Sequence, residues 1–234
     1  MKNIKIFSSV EEYENAKSEG LLITPNISFI NESGDVKCLP KLEDPYNGYE
    51  YVDLGLPSGL KWATCNVGAT SPEQLGLYFA WGETTGYTAD DVTSKVRSFD
   101  KDTYNAGPAA SINTNLTLEQ DAAHVNLGGN WRMPTMEECH ELTKNCNYMW
   151  TDDYNKTEVA GMMFTSKING NSVFFPAAGT CFNSSVYNIN SIGFYWINTL
   201  ETLDKVRRFY LVSGGYAIDY YFRFYGHSVR AVCE

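Results

Sequence analysis

The sequence predicts an α+β fold in which many short strands surround two helices. Short apolar and aromatic runs alternate with Gly and Asn turns from residue 49 onward, for example in residues 77–83, 172–179 and 193–199. Such runs are typical of short strands separated by turns. Capping patterns in the same region predict the two helices, so we expect one mixed domain over residues 46–234.

The two helices are predicted from their start signals. Thr117 is a candidate N-cap for a helix over residues 118–125. Thr135 and Glu138 form a capping-box pattern ahead of a second helix. Its apolar face is expected to contain Met136, Cys139, Leu142 and Thr143. Residues 84–115 are polar and rich in Gly, Thr and Asn, which predicts a long surface excursion.

Residues 1–45 are expected to form a short attachment segment, a helix followed by extended chain. Ser9 and Glu12 make a capping box, with a helix to about Lys17. Residues 21–30, which include Pro25, are predicted to be extended, and residues 36–39 to form a second short strand. This segment has too little apolar content to bury a core alone, so it should pack on another surface.

The composition argues against several classes of partner. The chain has 18 Lys and Arg against 28 Asp and Glu, a formal charge of −10, so no nucleic acid is expected. It shows no membrane-spanning stretch and no secretory signal, so membrane insertion is not expected. The six cysteines form no CxxC pair and no metal-ligand spacing, so we expect buried thiols and no metal, with disulfide pairing left open.

Six motifs, in order, resemble one known domain family. They are residues 51–63 (YVDLGLPSGLKWA), 78–83 (YFAWGE), 128–135 (GGNWRMPT), 175–179 (FPAAG), 194–196 (FYW) and 226–230 (GHSVR). Together they resemble the Fibrobacter succinogenes major paralogous domain over residues 49–233. The resemblance implies a C-type-lectin-like fold, in the branch shared with formylglycine-generating enzymes and the variable proteins of diversity-generating retroelements. Residues 20–30 resemble attachment segments of Bacteroides phage structural and fibre proteins.

The aromatic and cationic residues of these motifs are expected to hold the fold. Trp62, Trp81, Trp131 and Trp196 each stand close to glycine, and such large rings fill the core of a domain that lacks long helices. Arg132 and Arg230 lie within apolar motifs, and an arginine in that setting often binds a carboxylate or loop carbonyls. The candidate carboxylate partners are Glu83 and Asp53.

No catalytic constellation is predicted. His124, His140 and His227 are scattered along the chain, and no Gly-x-Ser-x-Gly elbow is present. Residues 196–198 (WIN) lack the final carboxylate of the calcium-lectin motif, so calcium-dependent sugar binding is not expected. The oxidase activity of the formylglycine-generating branch is not carried over, because its cysteine site is not visible around Cys181 or Cys233. We therefore expect neither enzymatic activity nor a cofactor.

The chemistry-bearing surface is predicted near the carboxyl end. Residues 220–225 (YYFRFY) cannot all face a core, because about half of such a run must point outward in a strand. Clustered exposed aromatics mark interaction sites. The expected ligand-binding face consists of Phe182, Ser184, Tyr187, Asn188, Asn190, Ile197, Asn198, Tyr216, Tyr220, Tyr221, Phe222, Phe224 and Tyr225.

The family resemblance adds a sharper hypothesis for this face. In retroelement-diversified proteins, adenine-directed mutagenesis of Asn codons yields Tyr, Phe, Ser, Asp and Ile. Such residues are dense in residues 182–191, 197–198 and 216–225. An ordinary aromatic β segment is the alternative, and Glu201, Lys205, Arg207 and Arg208 do not fit the diversified pattern.

The function expected from these features is a phage virion surface protein, a head or tail fibre or decoration. Residues 1–45 would dock on virion capsid or tail proteins, and the lectin-like domain would bind a bacterial surface glycan or protein. A homo-oligomer is expected, with a trimer favoured, made in the host cytoplasm and located on the virion. The alternatives are a bacterial cell-surface adhesin or pilus-tip protein and, more weakly, a formylglycine-generating-type oxidase.

Overall fold

The computed structural model describes residues 28–30, 36–38, 44–107 and 114–234, the first two ranges as backbone alone. The chain divides into two compact units, Met1–Asp44 and Pro45–Glu234. In the first unit, β1 (Ser28–Ile30) pairs antiparallel with β2 (Val36–Cys38), so the second short strand is confirmed. The helix expected after Ser9 lies outside the described residues.

The second unit mixes helices with small antiparallel sheets, which confirms the α+β prediction. Its described part contains three α-helices where two were predicted: α1 (Ala89–Thr93), α2 (Ala122–Leu127) and α3 (Met136–Asn145). Single 3-10 turns cover Leu118–Gln120 and Tyr154–Lys156. The strands are β3 (Tyr51–Asp53), β4 (Lys61–Ala63), β5 (Cys146–Thr151), β6 (Gly161–Ser166), β7 (Ser172–Pro176), β8 (Thr180–Phe182), β9 (Ser185–Tyr187), β10 (Gly193–Leu200), β11 (Lys205–Val212), β12 (Gly215–Phe222) and β13 (Val232–Cys233).

The strands of this unit form three small sheets and one hairpin. The strand orders are β13-β4-β3, β5-β6-β7 and β10-β11-β12, and β8 pairs with β9. The first two strands of the unit therefore share a sheet with its last strand, where Val232 pairs with Trp62. This pairing ties the two ends of the unit together.

Local sequence signals place the helices with different accuracy. Helix α3 begins at its predicted N-cap, and Cys139, Leu142 and Thr143 on the predicted face are buried. The second predicted helix is split, because Asp121 caps α2 through the amides of Ala123 and His124 and leaves residues 118–120 as a 3-10 turn.

The long surface excursion predicted for residues 84–115 was partly wrong. It contains α1, whose N-cap Thr88 forms a capping box with Asp91. Val92 and Phe99 from the same segment are fully buried. These two apolar side chains anchor a segment whose polar composition suggested an exposed loop.

Several strands were missed, among them β5, β6, β8 and β9, and at least one was expected in excess. Strands β5 and β6 were not predicted, because their Asn, Met, Cys and Ser residues break the β-branched pattern. Residues 77–83 were expected to form a strand, yet their main chain makes isolated bridges from Tyr78 to Tyr87 and from Phe79 to His227.

The four motif tryptophans fill the core as predicted. Trp62, Trp81, Trp131 and Trp196 are each at most 1% exposed. Trp62 and Trp196 lie in two separate apolar clusters, which pack against opposite faces of the β10-β11-β12 sheet. The sheet thus forms the central partition of the unit.

Trp81 and Trp196 are joined by a reciprocal pair of hydrogen bonds. The indole N–H of Trp81 donates to the carbonyl of Ile197 at 3.0 Å. The indole N–H of Trp196 donates to the carbonyl of Phe79 at 2.7 Å. Each ring therefore fixes the backbone beside the other, although the two motifs are far apart in sequence.

The predicted ion-pair partners of the motif arginines were wrong. Arg132 pairs with Glu138, which lies in the first turn of α3, and also with Glu234. Arg230 is buried and donates to the carbonyls of Ala63 and Thr64 at 2.9 and 2.6 Å and to the side chain of Asn66. Both arginines do hold loops, as expected.

The two candidate carboxylates pair elsewhere. Glu83 accepts two hydrogen bonds from Arg97, and Asp53 pairs with Lys61. Each carboxylate thus pairs with a cation nearby in the sequence. The sequence alone did not show whether a nearby or a distant cation would be the partner.

Replacing Trp81 by Phe should destabilise the unit strongly. The change leaves the buried carbonyl of Ile197 without its indole donor and removes ring volume, so we expect a loss of about 2–4 kcal/mol in the free energy of unfolding. Trp150→Phe is the matched control, because its indole N–H donates to the exposed carboxylate of Asp152. That loss should stay below about 1 kcal/mol. Urea unfolding of both variants measures the difference, and equal losses would contradict the role of the reciprocal bonds.

Candidate functional site

The carboxyl-terminal sheet has two faces of different character. In the antiparallel register, Phe209 pairs with Ile218 and Arg207 with Tyr220, whereas Arg208 pairs with Asp219. Cross-strand partners lie on the same face of a sheet. One face therefore carries Phe209 and Ile218 onto the β5-β6-β7 sheet through Phe164, at 5.8 Å between ring centroids. The opposite face carries Arg208.

Five aromatic rings converge where β12 ends, and we call them the carboxyl-terminal aromatic cluster. The rings of Phe182 and Tyr225 stack at 4.6 Å and 9°. Phe222 and Phe224 stack at 5.4 Å and 18°, and Phe224 meets Tyr225 at 5.2 Å. Tyr221 meets Tyr225 edge-on at 4.6 Å. The cluster is half-buried, apart from Phe222, which is exposed.

The β8-β9 hairpin brings Phe182 to this cluster through backbone contacts. The amide of Cys181 donates to the carbonyl of Gly226 at 2.8 Å, and the amide of Gly226 returns the bond at 2.9 Å. A Cβ atom at Gly226 would lie 2.8 Å from the Cβ of Cys181 and 3.0 Å from the ring of Phe99. Only glycine permits this approach.

Arg208 supports the cluster from below. Its guanidinium lies between the rings of Phe194 and Tyr221, at 4.3 and 4.0 Å from their centroids. It also donates twice to the half-exposed carboxylate of Asp219, at 2.8 and 3.0 Å. A cation stacked between two rings and paired with a carboxylate fixes the position of Tyr221.

His227 lies beneath Arg208 and is fully buried. Its Nδ1 lies 3.0 Å from both the carbonyl of Gly226 and the hydroxyl of Thr180. Because arginine can only donate, the contact of Arg208 with Nε2 assigns the proton to Nδ1. Nε2 then accepts from Arg208 at 3.4 Å. Burial, and next the positive charge of Arg208, hold the pKa of His227 well below its usual value. The imidazole is thus a neutral structural group.

The predicted face is only partly brought together. Phe182, Tyr221, Phe222, Phe224 and Tyr225 form the cluster. Tyr187 is exposed and pairs with Thr180 in the hairpin that carries Phe182. Ser184 lies in the turn of that hairpin.

The predicted Asn and Ile residues mostly hold structure. Ile197 was wrong, because it is fully buried in the core below the sheet. The Asn198 side chain accepts from the amide of Leu116 and donates to its carbonyl, at 2.7 and 3.1 Å. Asn190 accepts from the amide of Ala160, and Asn188 takes a positive φ of 63° in a turn. The side chains of Asn190 and Asn198 therefore have structural partners.

Tyr216 and Tyr220 lie on the other face of β12. Tyr216 packs edge-on against Tyr148 at 5.1 Å. Tyr220 is 46% exposed, beneath the side chains of Lys205 and Arg207 at 5.1 and 5.5 Å from its ring centroid. Lys205 also lies 5.0 Å from the ring of Phe222, so Tyr220 borders the cluster, whereas Tyr216 packs away from it against Tyr148.

Arg208 and His227 were not predicted as parts of the site. Arg208 is buried among aromatic residues that come from two neighbouring strands and a loop, and nothing in the local sequence indicates that setting. The position of His227 next to Gly226 in a motif was a usable signal, since a buried glycine beside a histidine favours close packing.

Concave sites in the described residues occur away from the aromatic cluster. A cavity of about 310 Å³ lies beside the Glu83–Arg97 pair and is lined by Tyr87, Asn105 and Gln120. No cluster of three metal-ligating side chains occurs among the described residues. Within the same residues, no helix has the length and apolarity needed to cross a bilayer.

Comparisons with known proteins were made at three levels. A scan against protein-family models, a search of curated proteins and a search of solved structures each gave no match. The site is therefore interpreted from its own residues.

Acidification should lower the free energy of unfolding, because His227 stays neutral in the folded chain. Because its folded pKa lies below the unfolded value, the unfolded chain binds a proton that the folded chain excludes once the pH falls below about 6.5. We expect the His227 contribution to lower the free energy of unfolding by about 1.4 kcal/mol per pH unit between about pH 6 and 5.

The His227→Gln variant isolates this contribution. Gln keeps polar atoms but does not titrate, so its stability should fall less steeply with acid than that of the parent chain, whatever its absolute stability. Urea unfolding at several pH values gives both slopes. Parallel slopes would show that His227 does not resist protonation.

Proposed function

We propose that the second unit is a non-enzymatic, C-type-lectin-like binding domain that uses the carboxyl-terminal aromatic cluster to contact a bacterial surface glycan or protein. The chain as a whole is then a phage virion surface protein, a head or tail fibre or decoration, which residues 1–45 attach to capsid or tail proteins. The convergence of Phe182 with Tyr221, Phe222, Phe224 and Tyr225 carries this proposal.

The organisation of the unit supports a display role. The first and last strands share a sheet, and the tryptophan pair fixes the loops beside β10. A rigid frame lowers the entropy that a binding surface loses when it engages a ligand. The mixture of helices and small antiparallel sheets supports the α+β class that the six sequence motifs imply.

The chemistry of the cluster fits recognition of apolar surface. Stacked rings such as Phe182 and Tyr225 present a continuous apolar platform with a phenolic hydroxyl at one edge. Burial and the hydrogen bond that its hydroxyl donates to the neighbouring Tyr221 raise the pKa of Tyr225 to about 12, so the hydroxyl remains protonated. Rigid aromatic residues with a polar tip are frequent in binding surfaces.

The titratable groups of the unit favour binding over catalysis. Burial raises the pKa of the thiols of Cys139, Cys146 and Cys181, to about 11 for Cys146, and thiolates are the reactive form. His227 is enclosed, and His124 contacts the carbonyl of Trp131 through Nδ1. These groups therefore act in packing and hydrogen bonding.

Truncating a ring of the cluster should weaken attachment to cells. Phe224→Ala removes contact area from the platform, so we expect at least about a tenfold loss of affinity of the labelled full chain for those Bacteroides strains that bind it. Tyr148→Ala is the matched control, an exposed ring outside the cluster, and should leave affinity unchanged.

Thermal unfolding of both variants is the control that checks whether they keep the parent fold. Cell binding that survives Phe224→Ala, or that falls equally in Tyr148→Ala, would place receptor contact outside the cluster. A parent chain that binds no strain in the panel would contradict the receptor-binding role.

Deletion of residues 1–41 should separate attachment from folding. We expect the truncated chain to fold with an unchanged melting temperature of the second unit but to be missing from assembled particles, because the docking segment is gone. Mass spectrometry of purified virions from a phage that encodes the variant measures incorporation. Normal incorporation would rule out docking through this segment.

A further inference from the structure

Strand β12 forms an open edge of the carboxyl-terminal sheet. Among the described strands the sheet order is β10-β11-β12, so within that part of the chain β12 has a strand partner on one side only. Three of its side chains, Tyr216, Tyr220 and Phe222, are exposed at 38–46%. An edge of eight residues with such side chains is long enough to template pairing with another strand.

The turn geometry shows which backbone groups face outward. Val212 and Gly215 pair across a two-residue turn, and the pair that flanks such a turn is hydrogen-bonded. Hydrogen-bonded pairs recur at every second position, so Ala217, Asp219 and Tyr221 bond to β11. The N–H and C=O groups of Tyr216, Ile218 and Tyr220 point away from β11, and within the described residues they have no hydrogen-bond partner.

The edge lacks the features that normally prevent pairing. Its sequence is GYAIDYYF, which contains no Pro and no Lys, and the register with β11 shows no bulge. The single charge, Asp219, lies on the opposite face and is bound by Arg208. Strand edges that must stay solitary usually carry inward charges, Pro or bulges.

We propose that β12 pairs antiparallel with β12 of a second copy of this chain, in a two-fold register centred on Ile218. In that register Tyr216 lies opposite Tyr220 of the second copy, and Ile218 lies opposite its equivalent. The three residues of each strand then exchange six backbone hydrogen bonds, and the two sheets become one of six strands. Asp219 lies opposite Ala217 of the second copy.

Neighbouring registers are less favourable for identifiable reasons. A shift that sets Tyr216 opposite Phe222 also sets Asp219 opposite Asp219, and like charges facing across strands destabilise a sheet. A shift the other way sets Tyr216 opposite Ile218 and Tyr220 opposite Gly214, which lies in the turn before β12, so only two residues of each strand remain paired. The strand is thus complementary to itself in one register, which favours a second copy over a foreign strand.

The pairing has a separate location from the proposed receptor contact. It uses Tyr216, Ile218 and Tyr220, while the cluster residues Phe182, Phe224 and Tyr225 lie outside β12 and Phe222 is the last residue of the strand, beyond the paired positions. Two cluster surfaces in one assembly would bind multivalently, yet the pairing does not require a receptor.

Disulfide trapping between two different variants tests the register. One preparation carries Tyr216→Cys and the other Tyr220→Cys, and both positions are exposed, so folding should persist. Opposed residues in a hydrogen-bonded antiparallel pair have Cα atoms about 5.5 Å apart, within disulfide range. Each variant alone would place its new thiols about 13 Å apart.

The full-length variants are mixed, oxidised with oxidised glutathione and separated on a non-reducing gel. We expect the mixture to give roughly tenfold more disulfide-linked dimer than either variant alone. The single variants share all native cysteines with the mixture, so they control for other cross-links. Equal amounts of disulfide-linked dimer in all three samples, or no linked dimer in the mixture, would overturn the proposed pairing. This holds even if another part of the chain brings two copies together.

Discussion

The reciprocal hydrogen bonds between Trp81 and Trp196 are the constraint on which the second unit depends. Each indole N–H donates to a main-chain carbonyl beside the other tryptophan, so the two chain segments are held together. Both rings lie in the same apolar cluster. The same contact positions the site, because the amide of Trp81 also binds the carbonyl of Arg223, between Phe222 and Phe224. The guanidinium of Arg223 lies 5.1 Å from the Trp81 ring. Frame and binding surface are therefore continuous.

Among the described residues, two buried polar side chains, Arg230 and His227, are not paired with a carboxylate. Arg230 relies on carbonyl and amide oxygens, and His227 is held neutral by its surroundings. Such arrangements cost desolvation energy and tolerate few alternatives, so they specify one loop arrangement more than they add stability. Exposed aromatic residues nearby can then differ in identity while the backbone beneath them stays fixed.

The sequence predicted the features that depend on local chemistry. The capping box of Thr135 and Glu138 sets the start of α3, and the glycine-flanked tryptophans are core residues. Failures came from tertiary context. Ile197 lies in a strand covered on both faces, where residues 193–197 are all buried, so alternation does not identify outward positions. Glu83 and Asp53 formed ion pairs with Arg97 and Lys61, not with the motif arginines. The setting of Arg208 arose only when separate strands met.

The attachment of the β8-β9 hairpin has a practical consequence for protein engineering. The hairpin is held by main-chain bonds at Cys181 and at Asn183, which exchanges two hydrogen bonds with Phe99, and by the lack of a side chain at Gly226. Anchoring of this kind does not use the side chains of Phe182, Ser184 and Tyr187. Libraries that randomise these three positions, while retaining Gly226 and the indole pair, would sample new recognition chemistry on an unaltered support.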